Sequence, residues 1–554
     1  MNSLILAGRT MANSYLKSPI KRDLLFLGIL LLISLFYDYQ NILFYRPQGI
    51  HAWRQTDCLS LTYSYYKENA PFLEPQLHIQ FSDQQTSGKT IGEFPILYYF
   101  IGNLWKLFGH QEYMYRLFVL LLSYLGLFYL YRIAWKLTNS WMLAVSAPII
   151  LLSSPIFAFY AANFLTNIPA LSTMLIGWYF IARYIENARM KHFYWAIFFF
   201  LLTGLLKVST LMTVMLIPLA ILLEMIGLHK LKKEGKAFAK PVLQLGLFVF
   251  MLALVMGWYK YADYYMSIHE GRYTFTKPVT LWETPRELSD MYLTHFKESL
   301  LPQIHRVVTM ALIIIAGIFL FIRHRKVEKF WLIGIPILLV GYVFFVLLFI
   351  YSLDGHDYYH IDFLAVLIFI YLAFIRYISR EESVLIQSPM AQGIFSIFLV
   401  FNVMGCANNL YVRYHNCPES DLPYRQIFCS RKEVDLLGYP QWQSDIMRTY
   451  GTVEPTLRKA GISREDRFLT MDDGSFNVTL YLMDQKGWPN MDGSLGDSLK
   501  IMDKVQLGAK FMIMHRPETL EQAWLKPFMS HPFLQYENLH VFDLRPFAAV
   551  KQSS

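Results

Sequence analysis

Long apolar stretches separated by short polar connections occupy the first three-quarters of the 554-residue chain. Each stretch approaches the roughly 20 residues that an α-helix needs to cross the hydrocarbon core of a bilayer. The pattern predicts about eleven spans, at 24–44, 115–134, 141–160, 168–185, 192–206, 208–228, 242–262, 304–322, 330–352, 361–378 and 393–411. Residues 1–411 are therefore predicted to form a mainly α, polytopic membrane domain whose first connection, 38–114, is long.

The last 143 residues follow a different pattern, in which short helical and strand-like segments alternate. Buried strands are predicted at 466–471, 511–514 and 540–544, with a turn at 472–475 and a helix through 483 after the first strand. Charged residues number 35 in this part, against 56 in the 411 residues before it. The composition and pattern predict a soluble α/β domain over 412–554, packed over a cavity in the membrane domain.

The distribution of basic residues predicts the orientation in the membrane. Arg9, Lys17, Lys21 and Arg22 precede the first span, which places the N-terminus in the cytoplasm. With eleven spans, every second connection faces the cytoplasm and should be basic, and the sequence shows this pattern. The same count places the C-terminal domain outside the cell membrane. The net charge of +9 is accounted for by these cytoplasmic connections, so nucleic acid is not inferred as a partner. The first span has no small-residue cleavage site after it and is predicted to be a retained anchor.

Polar residues gather at the predicted outer ends of the spans, where they are candidates for function. The outer segments contribute His51, Arg54, Asp57, Glu93, Lys207, Arg272, His356, Tyr358 and Tyr359. A partly desolvated carboxylate can take a proton from a hydroxyl group, and arginine or lysine can stabilise a departing phosphate. Aromatic side chains can stack on sugars. The set predicts group transfer from a lipid phosphate to an acceptor on the outer side.

Each of these residues also has a purely structural interpretation. Arg54 and Asp57 are three positions apart and could form a helix-surface ion pair. Glu93 could stabilise the start of a helix through its dipole. His356 could form a hydrogen bond within a turn. Tyr358 and Tyr359 could lie at the membrane–water interface, and Lys207 could contact lipid headgroups.

Three short motifs carry a resemblance to a known family. They are Glu93-Phe-Pro-Ile-Leu-Tyr-Tyr99, Leu107-Phe-Gly109 followed by Arg116-Leu117, and His356-Asp-Tyr-Tyr359. Their order and spacing resemble the GT-C superfamily of membrane glycosyltransferases, in the protein-mannosyltransferase-like branch (glycosyltransferase family 39) that includes the lipid A aminoarabinose transferase. The resemblance covers about residues 20–380.

The resemblance implies a polyprenyl-phosphate sugar donor, inversion at the anomeric carbon and an active site at the outer membrane face. It also implies that an acid in the first outer loop acts as base or metal ligand. The family's charged motif aligns with His51-Ala-Trp-Arg-Gln-Thr-Asp57, so His51 replaces the leading acid and Asp57 stands where a second acid is found. Asp57, His51 and Glu93 all stay candidates for the catalytic base.

The sequence also leaves alternatives for the residue that contacts the phosphate and for the presence of a metal site. Glu93 stands where the aminoarabinose transferase has a lysine, so the phosphate contact falls to Lys207 or Arg54. Because the superfamily contains metal-dependent members, a divalent metal held by Asp57, Glu93 and His356 is an alternative.

The sequence thus predicts a glycosyltransferase of the cell membrane that moves a sugar to an envelope glycolipid, glycan or protein. The alternative is a transporter or flippase of envelope lipid or glycan, although transporters usually carry acids deep within their spans. Outside the membrane, Cys417 and Cys429 are either disulfide-bonded or free thiols. Cys58 and Cys406 are predicted to be free.

Overall fold

Helices dominate the first 415 residues of the computed structural model, which describes residues 18–228, 236–271, 279–353, 356–415 and 441–549. The helices of seven or more residues in this part are α1 (Pro19–Phe36), α2 (Ala52–Lys67), α3 (Ile96–Phe108), α4 (Glu112–Thr138), α5 (Trp141–Leu152), α6 (Pro155–Ala161), α7 (Asn167–Asn187), α8 (Met190–Leu206), α9 (Leu216–Met225), α10 (Pro241–Ile268), α11 (Arg286–His295), α12 (Val307–Ile322), α13 (Lys329–Leu353), α14 (Ile361–Glu381) and α15 (Pro389–Tyr414). In addition to these α-helices, Val208–Met215 forms an eight-residue 3₁₀ helix. Shorter turns of helix are Tyr39–Ile42, Phe296–Leu300, Leu301–Ile304, His324–Lys326, Asp357–His360 and Ser383–Gln387.

Seven helical segments in the described residues are long and apolar enough to cross a membrane, and counting each of two bent pairs as one span gives nine. Each of the eleven predicted spans coincides with a helix or helix pair, which confirms a multi-pass membrane protein. The number eleven itself stays a prediction, because α8 is short and α1 carries three charged residues near its start. The first helix ends at Phe36, so the predicted span at 24–44 is interrupted.

The predicted span at 141–160 is not one straight helix. A Ser-Ser-Pro sequence separates α5 from α6, and the two helices meet at 78°. Pro155 cannot supply a backbone N–H to continue α5, whereas its fixed φ suits the first position of a new helix. The bend directs α6 toward the polar site described below.

The C-terminal domain holds a five-stranded mixed sheet in the order β2-β1-β3-β5-β4. Its strands are β1 (Arg467–Thr470), β2 (Gly487–Pro489), β3 (Ala509–Met514), β4 (Pro532–Tyr536) and β5 (Leu539–Asp543), and its longer helices are α16 (Gln441–Thr452) and α17 (Ser498–Gln506). Shorter helical pieces are Glu454–Lys459, Val478–Leu482, Met491–Gly493, Pro517–Leu520, Ala523–Met529 and Arg545–Ala549. The three predicted strands are present, and β2 and β4 were not predicted. The domain boundary at 411/412 stays a prediction.

The Asp472-Asp473 pair has the structural role of a turn and a cap. Asp472 accepts hydrogen bonds from the backbone N–H groups of His515 and Arg516, and Asp473 accepts from Ser475 and Thr479. Side-chain acceptors at such turns replace backbone partners that the chain lacks there.

Part of the long first connection adds to the edge of this sheet. Ile79 forms a parallel bridge with Gly487 of β2. The Gln80 N–H donates to the Gly487 carbonyl at 2.9 Å, and the Trp488 indole N–H donates to the Gln80 carbonyl at 2.9 Å. Backbone pairing satisfies groups at a sheet edge that would otherwise be exposed. The C-terminal domain is therefore attached to the first connection, which we call the first loop (38–114).

Candidate functional site

Helix α2 carries the charged motif of the first loop. His51 stands directly before it with φ of 60°, a left-handed conformation that turns the chain into the helix. The Gln55 side chain donates hydrogen bonds to the carbonyls of Gln48 and Ile50, at 2.9 and 3.2 Å. These bonds hold the turn that precedes α2, the helix whose first turns carry Arg54 and Asp57.

Arg54 and Glu93 form a short ion pair between α2 and the segment that leads into α3. Arg54 Nη2 lies 2.7 and 2.6 Å from the two carboxylate oxygens of Glu93, and both side chains are largely buried. Tyr98 Oη also donates to Glu93, at 3.4 Å. Glu93 thus holds Arg54 in place and balances part of its charge.

Asp57 is buried, with 4% of its surface exposed. Among the described residues, its Oδ1 atom has no hydrogen-bond donor. Burial raises the pKa of Asp57 to about 7; nearby Arg54 opposes the rise and Glu93 adds to it. Burial also acts on Glu93, but Arg54 and Lys207 outweigh it and hold the pKa of Glu93 at about 2. Two carboxylates with such different pKa values suit different roles, Asp57 as a proton acceptor and Glu93 as a fixed charge.

Lys207 reaches the same place from the break between α8 and the turn Val208–Met215. It has an extended backbone, with φ of −162°. The carbonyl of Leu205 accepts a hydrogen bond from Phe94 N–H at 3.0 Å, which joins this break to the Glu93 segment. Lys207 Nζ lies 4.6 Å from the centre of the Tyr359 ring, a cation–π contact. The structure therefore brings Lys207, Glu93 and Tyr359 together.

His51 faces the segment 356–360. Its ring stacks on His356, with centroids 5.4 Å apart, and meets Tyr358 edge-on at 5.0 Å. His51 Nε2 lies 3.2 Å from Asp357 Oδ1. His356 itself is exposed, whereas Tyr358 is buried. These contacts place His51 and the His-Asp-Tyr-Tyr motif in one polar cluster.

Asp357, Arg413 and Tyr160 belong to this cluster although they were not singled out from the sequence. Arg413 Nη2 donates to Asp357 Oδ2 at 3.1 Å, and Tyr160 Oη donates to Oδ1 at 2.6 Å. Asp357 and Arg413 are each 1% exposed. A basic residue at the end of a predicted span was the available signal for Arg413, since charges there are rare and usually paired.

The candidate metal ligands do not form a metal site. Among the residues that the structure describes, no group of three or more His, Cys, Asp or Glu side chains could hold a metal ion. Glu93 is engaged by Arg54, and His356 stacks on His51. Asp57, Glu93 and His356 therefore do not fit a metal ion.

Three residues named from the sequence, Arg272, Cys417 and Cys429, lie outside the described residues. Cys58 and Cys406 are both free and buried, as predicted.

The pKa of Asp57 leads to an expected pH dependence. If Asp57 must accept a proton, kcat/KM should rise as the pH increases through about 7, and should fall roughly tenfold for each unit below it. The rise reflects loss of the Asp57 proton, because burial has raised the pKa of this carboxyl group. Measurement of kcat/KM from about pH 5.5 to 8 tests this expectation, because this ratio reports the pKa values of the free enzyme. A flat profile over this range would contradict it.

Part of the sequence and the whole fold are similar to known proteins. Residues 93–259 match the family model described as dolichyl-phosphate-mannose-protein mannosyltransferase. The fold is similar to that of ArnT from Cupriavidus metallidurans in the apo state, with a TM-score of 0.52 and 12% identity over 95% of this chain and 98% of that chain. The structure of the same ArnT bound to undecaprenyl phosphate gives a TM-score of 0.49 at 12% identity, with the same coverage. No curated protein sequence matches the chain.

These findings confirm the resemblance and the fold class predicted from the sequence. The chain is a multi-pass membrane protein with a fold similar to that of ArnT.

Proposed function

We propose that the protein transfers a sugar from a polyprenyl-phosphate donor to a hydroxyl group of an acceptor outside the cell membrane. The observation that carries this proposal is a buried carboxylate, Asp57, with a pKa of about 7 beside Arg54 and Glu93. A group with that pKa is well matched to proton transfer near neutral pH. The family match to protein mannosyltransferases supports the same reaction class.

In the proposed reaction, Asp57 takes the proton of the acceptor hydroxyl while the oxygen of that hydroxyl attacks the anomeric carbon of the donor sugar. The bond between that carbon and the phosphate oxygen breaks, and the electron pair leaves with the polyprenyl phosphate. The attack comes from the side opposite the phosphate and inverts the anomeric centre. Lys207 and Arg54 stabilise the charge on the departing phosphate. His51 is the alternative base, and its contact with Asp357 would orient its ring.

Release of polyprenyl phosphate tests this function. Purified full-length protein would be given a panel of polyprenyl-phosphate sugars with extracted envelope glycolipid, glycan or protein as acceptor. Release that depends on acceptor supports the transferase. Absence of release from every donor, by folded protein, would overturn the proposal and favour the transporter alternative, which flux measurements in vesicles would then address.

Lys207 provides a specific test of donor binding. Lys207→Ala should lower kcat/KM for the donor roughly 100-fold, because it removes a point charge from the leaving phosphate. Lys207→Arg keeps the charge and should recover part of the activity. Steady-state kinetics with varied donor measure both. Lys106→Ala, at an exposed lysine of α3, is the matched control and should retain activity. Unchanged donor kinetics in Lys207→Ala would assign the phosphate contact elsewhere.

We further propose that the N-terminus is cytoplasmic and that the C-terminal domain is extracytoplasmic. The basic connections support this orientation. Single cysteines at Lys500 and Arg189, in a background with Cys417 and Cys429 replaced by serine, would report it. Both positions are exposed, while Cys58 and Cys406 are buried. A membrane-impermeant maleimide should label Lys500→Cys in intact cells and Arg189→Cys only after permeabilisation. The reverse pattern would contradict the orientation.

The C-terminal domain is proposed to cover the transfer site. Asn477 Nδ2 donates to the Thr56 carbonyl at 3.4 Å, directly beside Asp57 on α2. Phe476 meets Phe81 of the first loop, with ring centroids 6.1 Å apart. A domain held against this helix can exclude water from the base and contribute to acceptor binding.

A further inference from the structure

A polar cavity of about 680 Å³ lies between the first loop, the start of α4 and the C-terminal domain. Its volume falls within the roughly 300–1,000 Å³ typical of small-molecule sites. Arg46 spans the two sides of this cavity. Its Nη1 donates to the Gly451 carbonyl at 2.8 Å, and its Nη2 donates to Glu112 at 3.0 Å. We call this space the interdomain cavity.

The charges around the interdomain cavity are paired with one another. Glu112 takes hydrogen bonds from Arg46 and Tyr481, and Asp484 takes one from Arg464 at 2.7 Å. Glu454 lies 3.2 Å from Arg458. Paired charges leave little net field for a phosphate group or a free cation, yet they offer many fixed donors and acceptors. This arrangement favours a neutral ligand rich in hydroxyl groups.

Aromatic rings line the same cavity. Phe44 and Tyr113 pack with centroids 5.3 Å apart, and Phe44 is 68% exposed. Tyr63 and His110 meet edge-on at 5.2 Å. His110 Nε2 is buried without a hydrogen-bond partner among the described residues. Exposed ring faces beside fixed polar groups can hold the apolar face and the hydroxyl groups of a pyranose at the same time.

The interdomain cavity is separate from the transfer site. Arg54 and Tyr63 are nine positions apart on α2, which places them on opposite faces of the helix. Arg54 pairs with Glu93, whereas Tyr63 donates to Asp484 of the C-terminal domain at 3.0 Å. The two faces of α2 therefore border two different sites.

We propose that the interdomain cavity is a saccharide-binding site for neutral pyranose units. The inference goes beyond the proposed function, because binding here does not require the transfer reaction. The saccharide could come from the headgroup of a glycolipid or from a soluble glycan, and both present the same hydroxyl and ring-face chemistry.

Saturation-transfer NMR on the full-length protein tests this site. Cellobiose and N,N′-diacetylchitobiose are the soluble probes, and inorganic phosphate is the charged comparison in competition. We expect a saturation-transfer signal from at least one disaccharide, and we expect added phosphate to leave that signal unchanged. The variant with Phe44→Ala and Tyr113→Ala should reduce that saturation at least fivefold. Phe108→Ala, at an exposed ring of α3 outside the cavity lining, is the matched control and should leave it unchanged.

Detergent micelles that contain digalactosyldiacylglycerol separate the two sources of saccharide. Saturation transfer to the galactose protons of this lipid that is lost in the double variant, with no signal from the soluble disaccharides, supports a lipid-borne headgroup. Absence of both signals in folded wild-type protein, or full binding by a folded double variant, would overturn the proposal. Competition by phosphate would also overturn it.

Asp57→Asn separates the failure of this inference from the failure of the proposed function. It should bind the disaccharides as the wild type does while its turnover is lost. Loss of binding in Asp57→Asn would mean that the saccharide occupies the transfer site instead, and would contradict a separate interdomain site.

Discussion

Asp57→Asn is expected to lower the rate of sugar transfer by roughly 10²- to 10⁴-fold, the usual contribution of a positioned general base. The amide is nearly the same size and cannot accept a proton at neutral pH. The buried position of Asp57 and its pKa of about 7 make it the carboxylate of the site that changes protonation in the working range. Glu93, with a pKa of about 2, stays ionised there.

The measurement is acceptor-dependent release of polyprenyl phosphate at saturating donor. Thermal unfolding of the variant should match that of the wild type or exceed it, since a buried charge is removed. Asp290→Asn, at an exposed acid of α11, is the control and should keep full activity. Undiminished transfer by Asp57→Asn would move the base to His51 or Glu93, and combining the substitution with His51→Ala would distinguish them.

Arg413→Ala is expected to lower the free energy of unfolding by about 3–5 kcal/mol, the cost of breaking a buried ion pair. The substitution leaves Asp357 charged and buried without its main cationic partner. Arg413 also donates to Gln303 at 2.9 Å and packs against the Phe159 ring at 4.6 Å. Denaturation of the detergent-purified protein measures the loss.

Two further variants isolate the cause of that loss. Arg380→Ala removes an exposed arginine that pairs with Glu328 at 2.6 Å, and should cost less than about 1 kcal/mol. Combining Arg413→Leu with Asp357→Asn removes both charges and should recover much of the stability. A double variant no more stable than Arg413→Ala would show that packing, and not the unpaired carboxylate, determines the effect.

The fold followed from the sequence where a local pattern decides the structure. Apolar length predicted the membrane helices, and apolar runs between turns predicted β1, β3 and β5. The strand β2 has only three residues and obtains its partners from β1 and the first loop, so its own sequence carries little signal. The bend before α6 was readable from Ser154-Pro155, but the length of the apolar stretch outweighed it.

The candidate site was predicted in part for a similar reason. The outer ends of spans lie at one membrane face, and this constraint is the reason why the sequence grouped Asp57, Glu93, Lys207 and Tyr359 as candidates. It did not indicate which charges would pair. Arg54 pairs with Glu93, 39 positions away, and Asp357 with Arg413, 56 positions away. Such pairs depend on helix packing, which one sequence without its structure does not specify.

The backbone bridge that the first loop forms with the C-terminal sheet also constrains how the protein is made. Gln80 and Trp488, which are hydrogen-bonded, are 408 positions apart. At about 5–20 residues per second, the ribosome needs roughly 20–80 s between them. During that interval the segment around Ile79 has no sheet to join, and its backbone groups are exposed to other chains. Assembly of the α2 region is therefore a late event in biogenesis. Premature termination within the C-terminal domain would leave the first loop without its partner in the sheet.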